Sequence, residues 1–195
     1  MSLLRKLFFS IYTLYNLIIL KLNNVDYDDL RIDGCILIHN KGTFRIGSGG
    51  KINSSSYKNI IGGDTRSSIV VKKEGQLIIG KNFKMSNSAI YCTTRITIGD
   101  DVMIGGSCKI WDTDFHPLDA VKRKNDPNAG YTTKPVSIGN NVFIGGFTII
   151  LKGVTIGNAS VIGAGSVVTR NVPAGEIWAG NPATFVRQIS GYENS

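Results

Sequence analysis

The 195-residue sequence contains few of the residues on which many protein chemistries depend. Charged residues make up 18% of the chain, fewer than in typical globular proteins. The two histidines, His39 and His116, are too few for a three-histidine metal site within one chain, and we expect no metal. The cysteines Cys35, Cys92 and Cys108 are odd in number and widely spaced, which excludes a disulfide framework and a zinc cluster and is typical of buried thiols in a reducing compartment.

Long apolar runs are missing as well, since no stretch reaches the roughly 18 consecutive apolar residues that span a membrane. Glycine is plentiful, at 23 of 195 residues, and together with many Ile and Val residues it indicates short strands and tight turns rather than a helical bundle. Lys and Arg outnumber Asp and Glu by 22 to 14. This excess favours a phosphate-bearing ligand, an acidic glycan or an anionic membrane surface. The cations are scattered, with no recognition helix or stacking platform, so we expect no nucleic-acid partner.

The first 24 residues differ from the rest of the chain and predict an amphipathic helix. Lys6, Ser10, Thr13 and Asn16 fall three or four residues apart and form one narrow polar stripe, while the remaining surface is apolar. No small-x-small cleavage site follows the apolar run. The helix could pack on the main domain or a partner subunit, lie on a membrane surface, or act as a signal or anchor.

The strongest pattern is a repeat of six residues. Aliphatic residues recur at this interval, followed four residues later by Ser, Thr or Val: Ile138, Ile144, Ile150, Ile156, Ile162 and Val168, with Val142, Thr148, Val154, Ser160, Ser166 and Val172. A period of six fits neither a helix nor a single strand, but it fits a strand and a turn that form one face of a triangular coil. Ile138 should then stack on Ile156 in the next coil. We expect good coils over 98–173 and imperfect ones over 30–97.

The repeat is interrupted between Ile110 and Ile138, where the step is 28 residues instead of six. The inserted loop, residues 111–135, carries one of the two histidines beside a proline, in the sequence Asp114-Phe115-His116-Pro117. Asp114 stands where the repeat demands a small inward-facing residue, which supports a departure from the coil. A long excursion from a rigid repeat is typically functional.

The repeat, this loop and the closing sequence Ala179-Gly180-Asn181-Pro182-Ala183 resemble the left-handed β-helix (hexapeptide-repeat) acyltransferases, above all the galactoside and maltose O-acetyltransferases and the sugar O-acetyltransferases of polysaccharide assembly. The resemblance covers roughly residues 75–190. It implies an all-β protein: a left-handed parallel β-helix over 25–195, with an N-terminal α-helix over 1–24, a protruding loop and a closing segment over 174–195. The left-handed sense comes from the family, because the general rule for parallel crossovers predicts a right-handed one.

The resemblance also implies roles for individual residues. His116 matches the general base, which Asp114 or Asp112 would orient, and histidine has a suitable pKa for activating a hydroxyl. The other matched positions are Gly146 as a backbone oxyanion donor, Ala164 beside the pantetheine arm of CoA, Thr169, Arg170 and Arg187 at the CoA phosphates, and, more weakly, Asn87 at the acceptor. For each arginine, an unpartnered surface cation is the alternative.

The function implied is an acetyl-CoA-dependent O-acetyltransferase acting on a sugar hydroxyl, in the synthesis of capsule or O-antigen. An N-acetyltransferase for an amino sugar, an acetyltransferase for an amino acid or xenobiotic, and a non-catalytic scaffold or glycan-binding solenoid are the alternatives. The family further implies a homotrimer with sites in the grooves between subunits. We expect a cytoplasmic protein with peripheral contact to the inner membrane face through residues 1–22.

Overall fold

A computed structural model describes residues 3–55, 57–61 and 65–192, with side chains from residue 10 onward. The chain winds into triangular coils, and each coil adds one strand to each of three parallel sheets. The first sheet contains β1 (Asp26–Tyr27), β4 (Thr43–Ile46), β7 (Gln76–Ile79), β10 (Arg95–Ile98), β13 (Val136–Ile138) and β16 (Thr155–Ile156).

The second sheet contains β2 (Leu30–Gly34), β5 (Gly50–Ser54), β8 (Lys84–Ser86), β11 (Met103–Gly106), β14 (Phe143–Ile144), β17 (Val161–Ile162), β19 (Glu176–Gly180) and β20 (Ala183–Gln188). The third contains β3 (Leu37–Asn40), β6 (Ser68–Val71), β9 (Ala89–Cys92), β12 (Lys109–Trp111), β15 (Ile149–Ile150) and β18 (Val167–Val168). The last two strands of the second sheet pair antiparallel and close the C-terminal end of the stack. The predicted architecture of a triangular solenoid of parallel strands is confirmed.

The six-residue repeat sets the register between coils. Ile138 pairs with Ile156, Ile144 with Ile162 and Ile150 with Val168, as predicted. These aliphatic side chains are buried in ladders along the axis. The small polar residues fill the corners, where the Thr148 and Ser166 hydroxyls donate to the Gly145 and Gly163 carbonyl oxygens at 2.7 and 2.6 Å. The corner hydroxyls thus satisfy backbone groups that the tight turns leave unpaired.

Regular coils begin earlier than the sequence indicated. Ile46 pairs with Ile79, and Ile52 with Met85, so the stretch expected to be imperfect is stacked in register with the rest. One long connection, between Ser54 and Ser68, joins a strand of the second sheet to a strand of the third.

The N-terminal helix, α1 (Leu3–Leu22), packs on the first coils through Asn16, Ile19 and Leu20. Asn16 is buried: its Nδ2 donates to the Gly34 carbonyl at 2.8 Å, and its Oδ1 accepts from the Ile36 N–H at 3.3 Å. This amide satisfies backbone groups at the open end of the coil stack, which agrees with the alternative that the helix packs on the main domain. An apolar face is left exposed, formed by Ile11, Leu14, Tyr15, Ile18 and Leu22. No helix in the described part of the chain is long and apolar enough to cross a membrane.

Candidate active site

The inserted loop leaves the end of β12, and a buried aspartate fixes its base. Asp112 accepts hydrogen bonds from the backbone N–H groups of Thr93, Thr94 and Arg95 at 2.7 to 2.8 Å. The two arms of the loop then meet at a bridge between Thr113 and Thr133. Asp112 is fully buried, and both of its carboxylate oxygens accept backbone hydrogen bonds at this corner. Its role is therefore to stabilise the turn of the preceding coil.

The Asp114 side chain contacts Thr132 of the returning arm of the loop and Lys152, rather than the histidine. Its carboxylate accepts from the Thr132 hydroxyl at 2.6 Å and lies 3.0 Å from the Lys152 ammonium. Burial opposes ionisation of Asp114, but the Thr132 hydroxyl and the Lys152 charge outweigh it and keep the pKa below its ordinary value. The prediction that Asp114 orients the imidazole is not supported by any contact between the two side chains in the described structure.

His116 is oriented by a backbone carbonyl instead. Its Nδ1 lies 2.7 Å from the carbonyl oxygen of Pro127. Since a carbonyl can only accept, Nδ1 carries the proton, and in the neutral ring Nε2 is left with an open lone pair. The geometry prepares Nε2 to accept a proton from a neighbouring hydroxyl.

A short helix carries the segment that supplies this carbonyl. Asp119 caps the start of α2 (Ala120–Asn125) by accepting from the Lys122 N–H at 2.8 Å. The Arg123 guanidinium donates to the Pro117 and Leu118 carbonyl oxygens at 2.7 and 2.9 Å. Of the basic run at 122–124, Arg123 therefore ties the loop to itself close to the histidine.

A groove of about 410 Å³ adjoins His116 on the outer side of the third sheet. Phe115 forms its floor, packed edge-on against Tyr91 and Trp111 with ring centroids 4.9 and 5.8 Å apart. Thr93 also lines the groove, and its buried Oγ1 has no hydrogen-bond partner among the described residues. A hydroxyl without a partner beside an aromatic floor is suited to a polar ligand with an apolar face, such as a sugar ring.

Gly146 lies at the corner between the second and third sheets, where the backbones of neighbouring coils come unusually close. A Cβ on Gly105 would come within 2.6 Å of the Gly146 nitrogen, and a Cβ on Gly145 within 2.6 Å of the Ala164 nitrogen. Neither of these two N–H groups has an acceptor in the described part of the chain, whereas the flanking Phe147 N–H donates to the Gly106 carbonyl at 2.7 Å. The glycines thus leave two backbone donors open on successive coils.

The remaining predicted residues lie on different parts of the surface. Asn87 lies at the same corner as Gly146, further toward the N-terminus and level with Ser107 of the next coil, whose N–H donates to the Asn87 carbonyl at 3.0 Å. Its side chain is buried and donates to the Thr65 carbonyl at 2.6 Å, and its Oδ1 has no partner among the described residues. Thr169 and Arg170 are exposed after the last strand of the third sheet, whereas Arg187 is exposed on β20.

Comparison with known proteins gives a consistent picture. The family model "Bacterial transferase hexapeptide (six repeats)" matches residues 135–170. Over 113 residues the chain is 42% identical to the galactoside O-acetyltransferase of Escherichia coli strain K12, covering 57% of this chain and 54% of that protein. The chain spans little more than half the length of the curated relatives it matches first.

Two solved structures extend the comparison. A hexapeptide-repeat acetyltransferase of Vibrio cholerae O1 biovar eltor, complexed with acetyl-CoA, is 36% identical with a TM-score of 0.54, over 58% of this chain and 61% of that one. A galactoside acetyltransferase in complex with CoA is 28% identical with a TM-score of 0.57, over 90% and 70%. In sequence and in fold the chain thus resembles the hexapeptide-repeat acetyltransferases. The resemblance to hexapeptide-repeat acyltransferases that the sequence indicates is confirmed.

The two halves of the predicted site lie at opposite ends of the strands of the third sheet. The strand after Gly146, β15, pairs with Lys109–Ile110 of β12, and the loop with His116 leaves from the far end of β12. Six residues of extended chain separate those ends, on the order of 20 Å. One chain therefore does not bring His116 and Gly146 together.

Sequence reasoning missed Thr93 and the carbonyl of Pro127, because neither stands out in a single sequence. The repeat register could have placed Thr93 at a corner, but only the folded loop brings His116 beside it. Among the described residues, no group of three or more His, Cys, Asp or Glu side chains is arranged to hold a metal ion.

Proposed function

We propose that the protein transfers the acetyl group of acetyl-CoA to a hydroxyl of a saccharide, with His116 as general base. The observation that carries this proposal is the 2.7 Å contact of His116 Nδ1 with the Pro127 carbonyl, which leaves Nε2 open. Similarity to a galactoside O-acetyltransferase supports the sugar hydroxyl as acceptor. Similarity to an acetyltransferase complexed with acetyl-CoA supports the donor.

The donor substrate supplies an activated thioester, so no covalent intermediate on the protein is needed. His116 Nε2 takes the proton of the acceptor hydroxyl as its oxygen bonds to the acetyl carbon. The carbon–sulfur bond then breaks, and the CoA thiolate leaves with the proton from the imidazolium. The Pro127 carbonyl holds the ring in one tautomer and stabilises the transient positive charge.

The backbone N–H groups of Gly146 and Ala164, which have no acceptor in the described part of the chain, are suited to bind acetyl-CoA. In this proposal the Gly146 N–H donates to the oxygen that gains negative charge on the acetyl group, and the Ala164 N–H donates to the pantetheine arm. Such preorganised donors contribute substantially to acyl transfer, because they need no rearrangement during the reaction. Thr169, Arg170 and Arg187 would meet the phosphates, and no acidic partner of either arginine occurs within the described residues.

A shared site between copies follows from the separation of His116 and Gly146 along β12 and β15. We propose that the loop of one copy reaches the Gly146 corner of the next. Such a heterologous contact closes into a ring, and a homotrimer is the arrangement that the family resemblance implies.

The acceptor would then lie between the groove at Thr93 of one copy and the corner at Asn87 of its neighbour. Both side chains offer a buried oxygen without a partner in the described structure, and hydroxyls of a sugar can donate to them. This supports a saccharide acceptor and, with it, a role in surface polysaccharide synthesis.

Helix α1 supports peripheral contact with a membrane. Its exposed side presents Leu14 at 61% and Ile18 at 49% exposure, and the chain carries a net charge of +8 that favours an anionic surface. Replacing Leu14 and Ile18 with Glu should abolish co-sedimentation with phosphatidylglycerol vesicles and leave melting unchanged. Equal binding of the variant and the parent protein would remove the membrane proposal.

The decisive test of the transferase is thiol release from acetyl-CoA against a panel of sugars and nucleotide-linked sugars. We expect the His116→Ala variant to lose at least about a hundredfold in kcat while its affinity for CoA is kept. A non-catalytic scaffold would show no sugar-dependent thiol release in either protein.

The shared site is tested by mixing two defective variants within one oligomer. His116→Ala lacks the base, and Arg170→Ala with Arg187→Ala weakens donor binding. Co-expressed and assayed at low acetyl-CoA concentration, mixed oligomers should recover about a quarter of the parent activity, since random assembly pairs intact halves at that frequency. No recovery would place both halves in one chain.

A further inference from the structure

A second groove, of about 380 Å³, lies on the outer face of the second sheet and is rich in lysine. Lys51, Lys58 and Lys84 line it, and Asp33 is the one acidic residue among the described residues that do so. Asp33 is already engaged, at 2.8 Å from the Lys58 ammonium and 3.3 Å from the Arg31 guanidinium. The groove therefore keeps an excess of positive charge.

The strand register shows that this charge is organised as a ladder. Arg31 pairs with Lys51, and Lys51 with Lys84, so three cations occupy the same outward position on successive coils. Like charges directly opposite each other in neighbouring strands are destabilising. Lys51 and Lys84 are exposed and have no acidic partner within the described part of the chain. A bound anion would relieve this repulsion.

The groove that contains this ladder reaches the proposed reaction corner. Beside it runs a polar column in which Asn53 pairs with Ser86, and Ser86 with Gly106. Gly106 lines the groove and lies directly against Gly146, since a Cβ on Gly146 would come within 3.1 Å of the Gly106 carbonyl oxygen. The lysine groove therefore begins one coil from the proposed oxyanion donor, on its N-terminal side.

The donor and the acceptor must approach that corner from different sides. Ala164, Thr169 and Arg170, the proposed donor contacts, follow Gly146 toward the C-terminus, so the N-terminal side is open for the acceptor. Resting on the proposed function, we infer that the acceptor is an anionic saccharide, whose carboxylate or phosphate group binds at Lys51 and Lys84 while a hydroxyl reaches the Gly146 corner. Exposed Met103 and Phe143 continue the same outward position and would contact the sugar ring.

The test measures binding without acetyl-CoA, using three probes with one ring: methyl glucoside, methyl glucuronoside and methyl glucoside 6-phosphate. At low ionic strength the two anionic probes should bind about tenfold more tightly than the neutral one. The double substitution Lys51→Gln and Lys84→Gln should remove that preference, leave CoA affinity unchanged and keep or raise the melting temperature. A tighter carboxylate probe identifies a uronate-type acceptor, and a tighter phosphate probe a phosphorylated one.

A charge-matched control replaces Lys41 and Lys81 with Gln, since both lie outside the groove at other corners of the coil. This control should keep the anionic preference. The inference is overturned if the neutral probe binds equally well, if both double variants lose binding alike, or if the Lys51 and Lys84 variant loses CoA affinity. Binding that persists in a protein without transferase activity would remove the proposed function and leave the anionic groove standing.

Discussion

The carboxylate of Asp112 accepts a hydrogen bond from the backbone N–H of Thr93, 2.7 Å away on the preceding coil. The same carboxylate binds the next two N–H groups and is fully buried. One side chain thus ties the base of the inserted loop to Thr93, which lines the groove beside His116. Its removal would leave several buried donors without an acceptor.

Asp112→Ala should therefore lower the free energy of unfolding by about 3–5 kcal/mol. Asp112→Asn keeps one acceptor oxygen and should cost less. Urea unfolding followed by circular dichroism measures both. Equal stability of the parent protein and the alanine variant would show that water replaces the carboxylate at this corner.

Asp114→Asn separates loop support from histidine orientation. Because Asp114 contacts Thr132 and Lys152, the variant should lose the ion pair but keep a hydrogen bond, and kcat should fall less than about tenfold. The pH dependence of kcat/KM should keep its shape. A loss as large as that of His116→Ala would mean that the carboxylate orients the imidazole after all.

The sequence predicted the coil stack well, because the aliphatic period of six needs no long-range information. The pairing of Ile138 with Ile156 follows directly from an eighteen-residue turn. The first coils were underestimated because residues such as Met85 and Tyr91 depart from the aliphatic pattern while keeping its register.

The site was less predictable, since its contacts depend on how the inserted loop folds. The orienting partner of His116 is a backbone carbonyl, and a carbonyl has no signature in sequence. The lysine ladder was hidden for another reason: Lys51 and Lys84 are 33 positions apart in the chain and become neighbours only through a coil lengthened by the 55–67 connection.

Gly105→Ala and Gly165→Ala test the role of close backbone contact at the proposed reaction corner, beside Gly146. A Cβ on Gly105 would lie 2.6 Å from the Gly146 nitrogen, so the backbone of the coil must shift. Because this shift displaces the proposed oxyanion donor, kcat should fall by about tenfold or more. Gly165 has a φ of +72°, and an added Cβ would meet no atom within 4 Å. Its alanine variant should lose about 1–2 kcal/mol of stability from strain but keep kcat.

Thermal unfolding and thiol release together distinguish the two glycine variants. If Gly165→Ala reduces kcat as much as Gly105→Ala does, general loosening of the corner would explain both effects. The position of the Gly146 N–H would then not be the cause.

The buried cysteines should resist alkylation in the folded protein. Burial, reinforced by the nearby Asp112 charge, raises the pKa of the Cys92 thiol to about 12, and burial also raises the pKa of Cys108. The thiolate is the reactive form, so at pH 8 iodoacetamide should label Cys92 at least about a thousandfold more slowly than in urea, and Cys108 should also react more slowly than in urea. Mass spectrometry of the two peptides measures this, and rapid labelling without urea would indicate local opening of the coils.

Asp33 gives stability a defined dependence on pH. Burial of Asp33 opposes ionisation, but Lys58 and Arg31 outweigh it and hold the pKa below the ordinary 3.8. A lowered pKa in the folded state means that the stabilisation is fully present above about pH 4 and is lost as the pH falls through the folded value. Asp33→Asn should cost about 1–2 kcal/mol at pH 7, because the carboxylate is buried while both partners are half exposed.

Asp26→Asn is the matched control, since the Asp26–Arg45 pair is closer, at 2.6 Å, but exposed on both sides. It should change the free energy of unfolding by less than about 0.5 kcal/mol. Urea unfolding at pH 7 and at pH 3 measures both variants, and the cost of Asp33→Asn should shrink at the lower pH. An equal cost for the two variants at pH 7, or a cost for Asp33→Asn that does not change with pH, would show that the buried carboxylate does not stabilise through its charge.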